Sequence, residues 1–240
     1  GGRSEFRGRG RGRSGASRQQ DRYRPLGRPE VLKVLQSQDM LPAITFIFSR
    51  AGCDGALYQC LRSRMVLTSQ EEAQQIKEIV DAGVEGIPEE DLQVLDFKRW
   101  REALSRGFAA HHAGMLPAFR HIVEDLFVRG LVRAVFATET LALGINMPAR
   151  TVVLEKLIKF NGEAHVDLTP GQYTQLTGRA GRRSIDTLGN AVVQWAPAMD
   201  PRQVAGLAST RTYPLISTFA PGYNMAINLL GMLGFEDSLR

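Results

Sequence analysis

RAVFATETLALGINMPARTVVLEKLIKF, residues 133 to 160, sets the architecture of this chain. Two apolar, β-branched runs, RAVFAT (133–138) and TVVLEKLIKF (151–160), flank a segment bearing Gly144 and Pro148. Unbroken apolar runs mark strands covered on both faces, as in parallel sheets. AITFIF (43–48), after Pro42, is a third such run. GFAAHHAG (107–114) reads as a short strand running into a loop, and GNAVVQWA (189–196) as the last strand.

Helical patterns fill the intervals. SRAGCDGALYQCLRSR reads as a helix after AITFIF, and VLKVLQSQ as a short one before it. SQEEAQQIKEIVDAG (69–83) has an N-cap serine, an acidic first turn and a terminal glycine. Two short charged helices are expected between Pro88 and Ser105. In LPAFRHIVEDLFVRG (116–130), Phe119, Ile122, Val123, Leu126 and Phe127 recur at helical spacing. GYNMAINLLGMLGF (222–235) is one more apolar helix. Helices alternating with buried strands predict an α/β fold with a mostly parallel sheet. Asn161-Gly162 is a two-residue hairpin signal, with EAHVDL as the returning strand.

The formal charge of +5 is unevenly spread. Nine arginines against Glu5 and Asp21 give residues 1–28 a net +7, so the rest carries −2. Residues 1–30 are Gly, Arg, Ser and Gln with almost no aliphatics, and predict a disordered basic linker. Its RGRGRGR stretch (7–13) is either a flexible spacer or a salt-sensitive electrostatic contact with RNA. The excess of arginine, 25 against 5 lysines, fits codon bias in a GC-rich genome. No run of 18 apolar residues suggests a membrane span, and no apolar stretch follows the basic N-terminus as in a signal peptide. Cys53 and Cys60, seven apart on a helix, lie roughly 10 Å from each other by helical rise, too far for a disulfide. Two buried thiols and a cytoplasmic location are the expectation. The four histidines do not have metal-ligand spacing, so no metal site is expected.

Pro170 opens a helix across GQYTQLTGRAGRR. On it, Gln175, Arg179 and Arg182 would share one face, with Gly178 and Gly181 one turn apart. Each helical glycine costs about 1 kcal/mol against alanine, so the pair suggests a close approach to the backbone. Two parallel guanidiniums suit a multiply charged phosphate; the alternative is a solvated basic face. In open α/β sheets, ligands sit beyond the carboxyl ends of strands. Ser49 and Arg50 follow one such end, His111 and His112 a second, and Thr138 a third, ahead of Gly144 and Asn146.

HHAGM, ATETLALGINMPA and QLTGRAGRR, in this order, resemble the motifs of the second RecA-like domain of Ski2-like superfamily 2 DExH RNA helicases, the actinobacterial type in particular. The resemblance spans about residues 41–235. It implies a RecA-like, P-loop NTPase-type fold, with residues 31–210 as the helicase C-terminal domain, a β-hairpin near 155–168, and residues 211–240 as the start of a winged-helix region. It implies that Arg179 and Arg182 act as arginine fingers on the γ-phosphate of ATP and that Gln175 senses phosphate and positions water. Gly144, Asn146 and Gly178 would lie toward the nucleotide. Ser49, Arg50, His112, Gly114, Thr138 and Thr140 would follow a single-stranded nucleic acid. Phe160, Asn161 and Gly162 would form a strand-separating hairpin, or else an ordinary surface hairpin.

Neither GxxxxGK[ST] nor an Asp-Glu-x-His/Asp box occurs in the chain. The family carries both in its first RecA-like domain, where they hold phosphates and Mg²⁺. ATP with Mg²⁺ is therefore the expected cofactor, with the Mg²⁺ ligands and partner surface on that first domain. The chain alone is expected to be inactive as an ATPase. RNA is the expected strand, with DNA as the alternative; a non-enzymatic RNA adapter on a degenerate motor fold is the reading from another class.

Overall fold

The short apolar runs become the centre of one sheet. The computed structural model describes residues 26–143, 146–156, 158–181, 190–194 and 211–215. In chain order its elements are α1 (Arg28–Ser37), β1 (Ala43–Phe46), α2 (Arg50–Arg62), α3 (Gln70–Gly83), α4 (Glu89–Val94), α5 (Phe97–Ser105), β2 (Phe108–His111), α6 (Pro117–Val128) and β3 (Ala134–Ala137). A 3₁₀ turn (Glu139–Leu143) leads on to β4 (Thr151–Leu154), β5 (Ile158–Phe160), β6 (His165–Asp167), α7 (Pro170–Thr177), β7 (Asn190–Gln194) and β8 (Arg211–Leu215).

Six strands form a parallel sheet in the order β2-β3-β1-β4-β7-β8. Every residue of β1, β2, β3 and β4 is buried, which is why these runs show no alternation. Phe46, Phe108, Phe136 and Ile44 are among its fully buried side chains, each worth roughly 1.5–3 kcal/mol of transfer free energy. Helix α6 buries the five residues its periodicity selected. Ser69 caps α3 by accepting from Glu72 N–H, while the Glu72 carboxylate accepts from Ser69 N–H. That backbone hydrogen bond, with Arg133 beside it, holds the Glu72 carboxyl below its usual range.

The α/β, RecA-like class holds, and four local readings change. TVVLEKLIKF is not one long strand: β4 ends at Leu154, and Ile158–Phe160 pairs instead with β6 in a separate antiparallel hairpin. The polar Glu155 and Lys156 interrupt the run, and β5 and β6 lack buried residues. The turn centres one residue later than Asn161-Gly162. Asn161 N–H donates to Ala164 O, its Oδ1 accepts from Glu163 and Ala164 N–H, and Gly162 takes φ +102°. GNAVVQWA is not the last strand, because β8 extends the sheet beyond it and past residue 210. Finally, helix starts at Arg28, inside the stretch assigned to a disordered linker. Arg28 Nε and Nη2 donate to the Glu155 carboxylate and its Nη1 to Gln59 Oε1, so the last arginine of the basic tail is part of the folded domain. RGRGRGR, the 222–235 helix and the winged-helix region after 215 lie outside the described residues.

Candidate functional site

A parallel sheet brings all its carboxyl ends to one rim. The loops after β1, β2 and β3 meet there, because these strands are neighbours in register. After β1, Ser49 caps α2, its Oγ accepting from Gly52 N–H at 3.0 Å. This fixes the first turn of α2, where Arg50 is exposed.

After β2, both histidines are buried and each is tied to a different helix. His111 Nε2 lies 2.9 Å from Glu124 Oε1 on α6, while its Nδ1 is buried without a partner. Burial pushes the His111 pKa down, against the opposing pull of Glu124. His112, 6% exposed, places Nε2 2.9 Å from Asp54 Oδ1 on α2 and accepts from Gly114 N–H through Nδ1 at 3.1 Å. Ala113 and Gly114 are exposed. After β3, Thr138 is buried, Thr140 is exposed, and their hydroxyls sit 3.0 Å apart. Between them Glu139 pairs with Lys159 of the hairpin at 2.6 Å. Phe160, 55% exposed, stands on the same hairpin with its ring 5.4 Å from that of His165.

The helix bearing Gln175 ends sooner than its sequence suggests. Thr169 and Gln172 form its capping box, and Tyr173, Leu176 and Thr177 are buried. Gly178 is the C-cap, and a Cβ there would meet Thr174 O at 3.0 Å. Beyond it the chain forms a strand-like bridge. Ala149 N–H donates to Arg179 O at 3.0 Å and Gly181 N–H to Ala149 O at 2.7 Å. Gly181 sits at φ +92°, the left-handed region that glycine enters without strain.

Gln175 lies on α7 and Arg179 beyond its end, so these two do not share a helical face. The second glycine serves a turn rather than a close helix contact. Gln175 and Gly178 are exposed and Arg179 is half-buried. Ala149 precedes β4, so this segment is anchored at the amino end of that strand, opposite the rim. Asn146 is exposed on the segment leading to Ala149. Gly144 and Arg182 lie outside the described residues.

The comparisons with known proteins bear on these motifs. Residues 85–184 match the helicase conserved C-terminal domain. Over 234 residues the chain is 63% identical to the probable helicase HelY of Mycobacterium tuberculosis, covering 98% of this chain and 25% of that protein. It is 42% identical over 200 residues to the DExH-box ATP-dependent RNA helicase DExH15 of Arabidopsis thaliana chloroplasts, covering 82% of this chain and 16% of that one. It is 35% identical over 205 residues to the antiviral helicase SKI2 of Saccharomyces cerevisiae, covering 84% and 16%. This is the C-terminal RecA-like domain of a Ski2-like helicase. The chain spans a quarter or less of the length of these relatives.

Several residues that organise the domain's rim were not singled out in the sequence: Asp54, Glu124, Glu139, Glu155 and Lys159. Asp54 lies one helical turn after Arg50, which places it on the same face of α2. Its partner His112 is 58 residues away, so spacing alone carries no sign of the pair. Among the described residues no group of three or more His, Cys, Asp or Glu is arranged to hold a metal. No helix among them is long and apolar enough to cross a membrane.

Proposed function

We propose that this domain is the second motor domain of an ATP-dependent RNA helicase, working with a first RecA-like domain of the same full-length protein. The observation that carries the reading is the convergence of three loops, at Ser49–Arg50, His112–Gly114 and Thr138–Thr140, on one carboxyl rim. Arg50 offers charge, the Thr140 hydroxyl offers a donor, and the exposed Gly114, lacking a side chain, lets a phosphate approach closely, all without reading bases. Phe160, held out on a hairpin tied to Glu139, is the wedge beside that path.

The α7 end supplies the ATP half-site. An exposed amide, an exposed glycine and a guanidinium on a sharp turn suit a polyphosphate, so the residues fit the nucleotide. Arg179 and Arg182 act as arginine fingers, stabilising charge on the transferred phosphoryl group, and Gln175 orients the attacking water. Asn146 and Gly144 lie toward the ribose. Mg²⁺, when bound, would supply charge neutralisation for the phosphates, and its carboxylate ligands would come from the first domain. This chain alone does not turn ATP over appreciably. The buried, unpaired thiols of Cys53 and Cys60 fit a reducing cytoplasm.

The test uses the full-length protein and strand-displacement substrates with matched RNA and DNA single-stranded overhangs. Unwinding that is at least tenfold faster from the RNA overhang supports the reading, and equal or reversed preference overturns the substrate assignment. Arg182→Ala should lower ATPase by about 10³-fold or more with RNA binding retained. Retained ATPase in that variant would remove the arginine-finger role.

A further inference from the structure

The loop that carries Gly114 is braced from a different strand's helix. Gly114 N–H donates to His112 Nδ1 at 3.1 Å, so that nitrogen bears no proton. The proton is then on Nε2, which donates to Asp54 Oδ1 at 2.9 Å. Asp54 sits one turn after Arg50 on α2. The Arg50 stem returns to the same loop: a Cβ on Gly114 would lie 3.4 Å from Arg50 Cδ and 3.0 Å from His112 Nδ1. Asp54, His112, Gly114 and Arg50 thus form a closed circuit across the loops after β1 and β2. His112 is buried and both its ring nitrogens are engaged, which leaves it no donor for a passing strand.

We propose that Asp54 and His112 are positioning residues that form a clasp: Asp54 on α2 holds His112 in its Nε2–H form, and the bare Nδ1 then fixes Gly114 N–H, so that the Gly114 backbone forms the floor under the Arg50 side chain and aims it at a nucleic-acid phosphate. The inference rests on reading this rim as the strand path. It takes His112 out of the set that touches the strand and adds Asp54 to the set that shapes it. The unprotonated Nδ1 is the essential feature, because only an acceptor at that position satisfies Gly114 N–H.

The two amide replacements of histidine separate the halves of the clasp. In His112→Asn the side-chain oxygen takes the place of Nδ1 and keeps Gly114 N–H. In His112→Gln the amide reaches the place of Nε2, keeps Asp54 and leaves Gly114 N–H unpaired. In the full-length protein, with a fluorescein-labelled oligouridylate as probe, His112→Gln should raise the RNA half-saturation of ATPase about fivefold, the typical effect of one hydrogen bond. The rate at saturating RNA should not change. His112→Asn should stay within about twofold of the parent. A fold-stability role alone would move both variants alike, so equal shifts, or no shift in either, overturn the proposal.

Asp54→Asn and Asp54→Leu give a second reading should His112→Gln fail to fold. The first keeps an acceptor for Nε2–H and should match the parent; the second removes the acceptor that holds the proton on Nε2, lets Nδ1 carry it against Gly114 N–H, and should behave as His112→Gln, so two matching Asp54 variants overturn the proposal. Arg50→Ala tells the two levels apart. It should weaken oligouridylate binding whatever the clasp does. Parent-like binding by Arg50→Ala overturns the strand-path reading and the clasp with it. Weakened binding by Arg50→Ala, with indistinguishable Asn and Gln variants at His112, overturns the clasp alone.

Discussion

The carboxyl rim of the sheet and the end of α7 are built in opposite ways. At the rim, side chains brace one another across strands: His111 to Glu124, His112 to Asp54, Glu139 to Lys159. At the end of α7 the backbone does the holding, with Ala149 gripping the segment from Arg179 to Gly181 on both sides. A rim braced by side chains spreads its support over several contacts, so losing one shifts its own loop and leaves the others held. A turn held by two backbone hydrogen bonds and a left-handed glycine depends on single positions. The difference fits the division of work proposed above. A strand path has to grip any sequence with many weak contacts, whereas a guanidinium that meets a transition state has to sit within a fraction of an ångström.

The sharpest way to break this contrast is Gly181→Ala. Alanine at φ +92° is strained by about 1–2 kcal/mol, and relief of that strain moves Arg179 and its successors. ATPase of the full-length protein should fall at least tenfold while oligouridylate binding stays unchanged. Equal loss of both would show that the two regions are not independent.

Ser49→Ala tests the rim with an intermediate effect. It removes the cap of α2, worth about 1 kcal/mol, and lets the Arg50 turn fray. RNA half-saturation should rise about threefold to fivefold and the melting temperature should fall by a few degrees. A change in the saturated ATPase rate instead would link Ser49 to the nucleotide side.

The bridge from rim to hairpin predicts a smaller effect. Glu139→Lys or Lys159→Glu alone should slow unwinding about twofold, and the charge-swapped double variant should recover it. ATPase should not move in any of the three, since the pair touches the hairpin and not the α7 end. Additive losses in the double variant would mean that the two residues act separately.

The smallest effect concerns pH. His111, facing Glu124 with Arg120 and His112 nearby, has a pKa below its ordinary 6.5 because it is buried. The unfolded chain therefore binds more protons than the folded one as pH falls through that region, and stability falls with it. Above about pH 7.5 both states are neutral there and stability is flat. The melting temperature should drop slightly between pH 7.5 and 5.5, and His111→Gln should flatten that part of the profile. An unchanged slope would assign the acid loss to other groups.

The strands of the sheet were legible because double-sided burial leaves runs such as AVFA and TVVL with no polar interruption. Helix α6 was legible because its apolar stripe is regular. What misled was continuity: TVVLEKLIKF and QLTGRAGRR each read as one element, yet each crosses a boundary made by a partner remote in sequence. Glu155 is drawn to Arg28, 127 residues away, and β5 turns to β6. Arg179 and Gly181 are drawn to Ala149. Local spacing carries helix periodicity but not the competing offer of a strand edge. The same limit hid Asp54, whose role exists only once β1 and β2 have brought α2 beside the loop after His112. The motifs themselves, by contrast, pointed to the family directly.

One consequence follows for measuring domain movement. Cys53 and Cys60 are the chain's two cysteines, both fully enclosed, and burial raises each thiol to a pKa of about 12. At pH 8 only about one in ten thousand would be thiolate, the species that maleimides attack. Dyes can therefore be attached to cysteines introduced on the exposed hairpin or on α4 while the native pair stays in place, and fluorescence transfer from them would report opening and closing of the motor without a cysteine-free background.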